Sequence, residues 1–290
     1  GMSLGAAKTA FFACTAGEIS LLHALFYIKS GTSLECLIST EGGAQEARVV
    51  GGMQPLAEAL AAPLGERVLL GHVVRAIEQD ARGVTVRFTD GRTREASRVI
   101  VAIPPTLAGR IEYSPSLPAR RDQLTQRMPM GTVIKTIAIY ERPFWRERGL
   151  SGQAVFEDGP VQVSFDTTPK GGAPGMLVGF CLADRARALL DRTTEERAPL
   201  VLESFARAFG DEARRPLRYL DHSWAEEPFS RGCYVGLLSP GAWTGYGAAL
   251  AAPCGRIHWA GTETSTRWNG YFEGAVLAGR RAAAEVLEAG

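Results

Sequence analysis

Apolar and polar positions change period several times along the chain, and each change marks an element. Over 18–29, Ile19, Leu22, His23 and Phe26 recur at helical spacing, which predicts an amphipathic helix. Gly42-Gly43 and Gly51-Gly52 punctuate the next segment, and 55–64 reads as a short helix. From 67 to 103 the period falls to two. Val84, Val86 and Phe88 alternate with polar residues, and Thr89-Asp90-Gly91-Arg92 supplies a hairpin turn. The run 98–103 is almost continuously apolar, as expected of a central strand covered on both faces, and Pro104-Pro105 ends it. This predicts a β-meander leading into a central strand. Residues 132–140 read as a second strong strand, with more sheet at 161–165 and 176–180. Residues 194–209 read as a helix, with Thr193 or Thr194 near its start and Gly210 past its end. A short extended piece covers 217–221. The last unit is a strand over 256–260, a loop to Gly270 and a helix over 271–287.

Strands and helices therefore mix without regular alternation, which predicts an α/β protein with α+β character. At 290 residues the chain has room for two modest domains, here expected to interleave in sequence. Composition narrows the class: 46% hydrophobic and 22% charged residues exclude disorder and allow a sizeable core. Thirty-two basic against 31 acidic residues leave +1, which argues against a nucleic-acid footprint. No apolar run is long enough to span a membrane. Five widely spaced cysteines without a CxxC pair suit a reducing compartment, so a cytoplasmic location is expected. Four scattered histidines form no metal motif, so no metal is expected. Arginine greatly outnumbers lysine, a skew that fits a GC-rich bacterial genome. Gly1-Met2-Ser3-Leu4 reads as a cloning remnant rather than a signal peptide.

One element is missing. Nowhere does GxGxxG follow a strand and open a helix, and Gly51-Gly52-Met53 lacks both the third glycine and the later acidic residue. At the other end, the terminal helix carries Gly274, Ala275, Ala278, Gly279 and Ala282 along one side. Glycine costs about 1 kcal/mol against alanine inside a helix, so two need a packing reason. Pattern alone favours an ordinary Asn269-Gly270 cap on a tightly packed helix. The free N–H groups of that helix start would also suit an electron-rich carbonyl or an anion.

Gly255-Arg256-Ile257-His258-Trp259-Ala260-Gly261-Thr262-Glu263-Thr264, followed by Trp268-Asn269-Gly270-Tyr271-Phe272-Glu273-Gly274-Ala275, closely resembles the C-terminal motif of the flavin monoamine oxidase family. Further landmarks occur in the family's order: Ile38-Ser39-Thr40, 42–46, Val50-Gly51-Gly52, 102–107, Val133-Ile134-Lys135 with Pro143-Phe144-Trp145, and Gly232-Cys233-Tyr234. The resemblance covers 6–290 and lacks the family's N-terminal dinucleotide-binding glycines. It implies the latter two-thirds of the fold, from a truncated chain or a split gene. The expected domains are a substrate domain from 1–50 and 126–229, and part of an FAD-binding domain from 51–125 and 230–290.

The resemblance also implies roles for single residues. Read alone, Lys135 is a strand lysine snorkelling to solvent from an edge; the matching family lysine holds a water near the flavin and assists its reaction with oxygen. Read alone, Cys233 is a small buried hydrophobe; the matching cysteine forms a thioether to flavin in some relatives, although Arg231 replaces the usual small residue before Gly232. Tyr234 and Tyr271 match an aromatic cage for the amine, while each alone reads as a core or interface tyrosine. Lys135, Tyr234 and Tyr271 are thus the expected catalytic set. Val74, Trp224, Cys233, Gly261, Thr262, Glu263, Gly270 and Phe272 match cofactor-lining positions, with Phe272 standing where methionine is usual and Val74 having an ordinary sheet reading. Ile38, Gln45 and Phe180 match substrate-cavity positions, and Val163 stands where relatives often carry tyrosine.

The implied activity is flavin-dependent oxidative deamination of an amine to an aldehyde, with oxygen reduced to hydrogen peroxide and FAD as cofactor, in the full-length protein. Polyamine or L-amino-acid oxidation are neighbouring alternatives, although no arginine clamp for a carboxylate is evident. A different class is a non-catalytic scaffold that cannot hold FAD alone. Expected partners are a small amine and oxygen, with either a homo-oligomer or a separate N-terminal flavin-binding segment.

Overall fold

The computed structural model describes residues 12–289, so the Gly1–Leu4 reading lies outside the described residues. In chain order its elements are α1 (Leu21–Ser30), α2 (Leu34–Ile38), α3 (Gln54–Ala61), β1 (Val74–Gln79), β2 (Val84–Phe88), β3 (Thr93–Ala96), β4 (Val99–Val101), α4 (Pro105–Ala108), β5 (Glu112–Ser114) and α5 (Ala119–Thr125). There follow β6 (Val133–Tyr140), α6 (Phe144–Glu147), β7 (Ala154–Val155), β8 (Val163–Asp166), β9 (Gly175–Leu182), α7 (Ala183–Arg187), α8 (Thr194–Phe209), β10 (Arg218–Ser223), α9 (Ala242–Tyr246), β11 (Ile257–Trp259) and α10 (Phe272–Glu288). The described residues divide into unit one, 12–20 with 128–240, and unit two, 21–127 with 241–289.

Unit one is built on an antiparallel sheet in the order β10-β6-β9-β8-β7. Period-two alternation gives that sheet two faces. On one face Ile134, Ala138, Tyr140, Leu177 and Cys181 pack with Val201, Phe205 and Phe209 of α8 and with Trp145. Helix α8 starts at a capping box: Thr193 accepts from the Glu196 backbone, while the Glu196 side chain accepts from the Thr193 N–H. A buried ion pair ties it to the sheet, with Arg197 Nε and Nη2 donating to Asp221 at 3.0 and 2.9 Å. Thr194 and Tyr219 hydroxyls add donors to the same carboxylate, so the buried charge is well satisfied.

Unit two holds a four-stranded sheet, β3-β2-β1-β5, and a separate parallel pair, β11-β4. Ile77, Val84, Val101, Ile257 and Trp259 form its core. The hairpin at 89–92 is present between β2 and β3. The central-strand expectation for 98–103 is corrected. The strand spans only Val99–Val101, pairs with β11 rather than the meander, and leaves Ile100 and Ile103 each 38% exposed. An apolar run identifies a strand, but it does not say how many layers cover it.

The units' boundaries also differ from the domain limits expected at 50 and 229. Residues 21–50 belong with unit two because Ser30 at the end of α1 accepts from the backbone of Trp268 and Asn269. Residues 230–240 belong with unit one because Cys233 and Leu237 donate to the carbonyls of Gly131 and Pro129.

Candidate functional site

The second face of the unit-one sheet carries the first group of candidates. Strand registers align one row across four strands: His222 of β10 opposite Lys135, Lys135 opposite Phe180, and Phe180 opposite Val163. Lys135 lies on β6, the second strand of five, so the edge-strand reading is replaced by an exposed lysine on an interior strand. Its ammonium stands 5.7 Å from the centroid of the Phe180 ring. Phe180 meets Tyr234 at 6.3 Å and 62°, an edge-on contact. Around the buried trio Ala13, Val133 and Leu182 pack Phe180, Trp224, Cys233 and Tyr234. The structure thus brings Lys135, Phe180, Trp224, Cys233 and Tyr234 onto one face.

The Gly232 backbone explains how Cys233 and Tyr234 reach that face. A Cβ there would lie 2.4 Å from the Gly131 carbonyl and 2.5 Å from Met130 Cβ, and φ is +146°. Only glycine allows this approach. Cys233 N–H then donates to Gly131 at 2.8 Å. Burial pushes the Cys233 thiol up to about 12, against the opposing pull of Lys135. The protonated thiol is therefore the resting form, poorly suited to nucleophilic attack without further activation. Val163 also borders an open hollow of about 300 Å³ with Thr15, Gln162 and Arg185.

Unit two carries the remaining candidates. Tyr271 precedes α10 and is fixed through its backbone: Thr262 Oγ1 donates to its carbonyl at 3.0 Å while accepting from Gly270 N–H at 2.7 Å. Asn269 Nδ2 braces the loop from within, donating to the carbonyls of Thr262, Glu263 and Ser265. The Tyr271 hydroxyl bonds Tyr27 and Gln45, and its ring meets Trp268 edge-on at 5.3 Å. Burial raises its phenol above the usual range, whereas those two hydrogen bonds pull it down. Tyr271, Gln45, Thr262 and Gly270 are thus brought together. Ile38 ends α2 and is exposed, Val74 opens β1 beside the core, and Glu263 is buried in the loop.

The sequence did not single out Tyr27, and it gave Trp268 and Asn269 no individual role at the site. Tyr27 lies 244 positions from Tyr271, and an aromatic on an amphipathic helix reads as core. Asn269 had been read only as a helix cap.

The loop's chemistry tests whether a flavin fits. Helix α10 has no side-chain cap at its N-terminus. Gly261 and Gly270 approach it in left-handed conformations at φ +88° and +82°. Phe272 beside them is half exposed, and Asn269 Oδ1 is buried without a hydrogen-bond partner. Free backbone donors, bare glycine backbone and an exposed ring suit the electron-rich edge of a planar group. These residues fit.

Comparison with known proteins points the same way. Residues 9–287 match the family model described as flavin containing amine oxidoreductase. A Dictyostelium discoideum protein named "Probable flavin-containing monoamine oxidase A" is 46% identical over 272 residues, 93% of this chain and 60% of its own length. The Sus scrofa flavin-containing amine oxidase B is 42% identical over 275 residues, covering 94% of this chain and 53% of that protein. Wild-type putrescine oxidase bound to putrescine superposes with a TM-score of 0.92 at 35% identity, over 98% of this chain and 63% of that one. Cyclohexylamine oxidase from Brevibacterium oxydans IH-35A gives the same TM-score and coverage at 33% identity. The chain spans less than two-thirds of the length of each of these relatives.

Proposed function

Because the chain belongs to the flavin containing amine oxidoreductase family, we propose that the protein carrying it oxidises small amines to aldehydes with a bound FAD, releasing hydrogen peroxide. When bound, the flavin supplies the two-electron acceptor for the amine and passes those electrons to oxygen. The protein's own residues bind, orient and exclude water. The observation that carries this reading is the shared face holding Lys135, Phe180, Tyr234, Cys233 and Trp224.

Lys135 places a fixed positive charge on that face, where it orders a water and stabilises negative charge as it develops. Phe180 limits where the ammonium can go. Tyr234 and Tyr271 each offer an electron-rich ring face to a neutral amine. Gly261, Thr262, Glu263, Gly270, Phe272, Trp224 and Val74 hold the cofactor, and Ile38, Gln45 and Phe180 contact the substrate. In this reading 1–50 and 126–229 serve the substrate, and 51–125 and 230–290 serve FAD. Cys233 is the position for a covalent flavin link, which its high thiol pKa makes slow without activation. The putrescine and cyclohexylamine oxidases among the relatives make both diamines and monoamines candidate substrates.

The test is the flavin absorption spectrum of the purified gene product that contains this chain, with a peroxide assay over a panel of primary amines and diamines. Bound flavin and amine-dependent peroxide support the reading; absence of both removes it. A scaffold reading draws on α3, none of whose residues is buried, with Leu60 62% exposed. Sedimentation showing stable self-association without flavin binding would favour it.

A further inference from the structure

Strand β10 places on the Lys135 face a residue that neither the motifs nor the resemblance picked out. His222 is the direct cross-strand partner of Lys135. Residues so paired have Cβ atoms roughly 4.5–5.5 Å apart. Glu227, in the turn after β10, places its Oε1 3.2 Å from His222 Nε2. The same imidazole stands against Trp224 at 4.7 Å between ring centroids and 77° between planes.

The surroundings are otherwise simple. Among the described residues β10 ends the sheet, so β6 is its one strand neighbour. The charged groups facing the imidazole are Lys135 from β6 and Glu227 from the following turn. Its remaining neighbours on this face, Leu220, Val133 and Ile137, are apolar. The carboxylate fixes the ring through Nε2, and the ring's edge then fixes the indole.

We infer that His222 is a positioning residue: hydrogen-bonded to Glu227, it holds the Trp224 indole in place on the Lys135 face. Its value to catalysis rests on the amine-oxidase reading, in which Trp224 lines the cofactor. The clamp itself does not rest on that reading.

The experiment is the tryptophan emission anisotropy of the full chain. Trp224→Phe isolates the Trp224 component by difference. His222→Phe keeps an edge-on ring and the high anisotropy of that component. His222→Ala loses the high anisotropy. Glu227→Gln lowers it in part, because the imidazole loses its carboxylate anchor. Circular dichroism identifies any variant that fails to fold; if His222→Ala does, the His222→Phe and Glu227→Gln pair still decides. Unchanged anisotropy in folded His222→Ala would overturn the inference, as would a loss in His222→Phe as large as in His222→Ala. These readouts need no flavin. A failed amine assay with an intact fluorescence response would sink the oxidase reading alone.

Discussion

Lys135 and Phe180 are direct partners across β6 and β9, and the ammonium stands 5.7 Å from the phenyl centroid. An exposed cation over a ring is worth about 0.5–1 kcal/mol, too little to matter for folding but enough to bias where a flexible lysine spends its time. Lys135→Met should therefore leave the melting temperature nearly unchanged. It should lower oxygen consumption by the amine-fed enzyme on the order of 100-fold, the scale of losing one charge-stabilising group. Phe180→Leu should give a smaller loss, because the ammonium remains but is less confined. Oxygen-electrode rates of both variants check the order.

Tyr271 offers a prediction whose sign follows from its partners. Burial raises its phenol, and donated hydrogen bonds from Tyr27 and Gln45 favour the phenolate. Tyr27→Phe removes one of those bonds, so the Tyr271 phenol should titrate at still higher pH. Phenolate absorbance, with Tyr271→Phe as the subtraction, measures this. A phenol whose pKa is raised on folding contributes stability that is complete below the unfolded value and is lost as pH rises through the folded one.

Acid stability turns on His23. It is buried, edge-on to Trp243 at 5.5 Å, and burial lowers its pKa from 6.5 to about 4. The unfolded chain then binds a proton more tightly than the folded one. Stability should be complete above about pH 6.5 and fall as the pH drops toward 4, by roughly 3 kcal/mol in all. Denaturant titrations at a series of pH values should show this decline, and His23→Phe should flatten it.

The two glycines inside α10 should respond with opposite signs. A Cβ on Gly274 would lie 2.1 Å from the Trp268 carbonyl oxygen and 2.8 Å from Thr262 Oγ1, whereas Gly279 meets nothing within 4 Å. Gly274→Ala should cost about 1–3 kcal/mol by forcing the loop outward. Gly279→Ala should gain up to about 1 kcal/mol from helix propensity. Thermal melts of the two variants test the contrast.

That contrast shows what the sequence could and could not reveal. Both glycines drew attention as costly in a helix, yet only the fold says which one carries a close approach. The buried stripe is Gly274, Ala278 and Ala282, without Ala275 or Gly279. The helix 194–209 was legible to the residue because its cap is local chemistry: Thr193 and Glu196 satisfy each other's backbone. The strand at 98–103 was legible as a strand and not as a half-covered one, since layers come from distant chain. His222 escaped notice for a related reason. The extended reading over 217–221 stopped one residue short of it, and only the register with β6 sets the imidazole beside Lys135. Gln45 came from resemblance, but its bond to Tyr271 needed coordinates.

The central claim is that this face of aromatic rings and one ammonium serves flavin-dependent amine oxidation. Its most direct test is anaerobic addition of a primary amine to the flavin-loaded gene product containing this chain, followed by admission of oxygen. The account predicts bleaching of the flavin absorption band on amine addition, its return with oxygen and stoichiometric peroxide, with recovery slowed in Lys135→Met. A flavin that stays oxidised through the whole amine panel would contradict it.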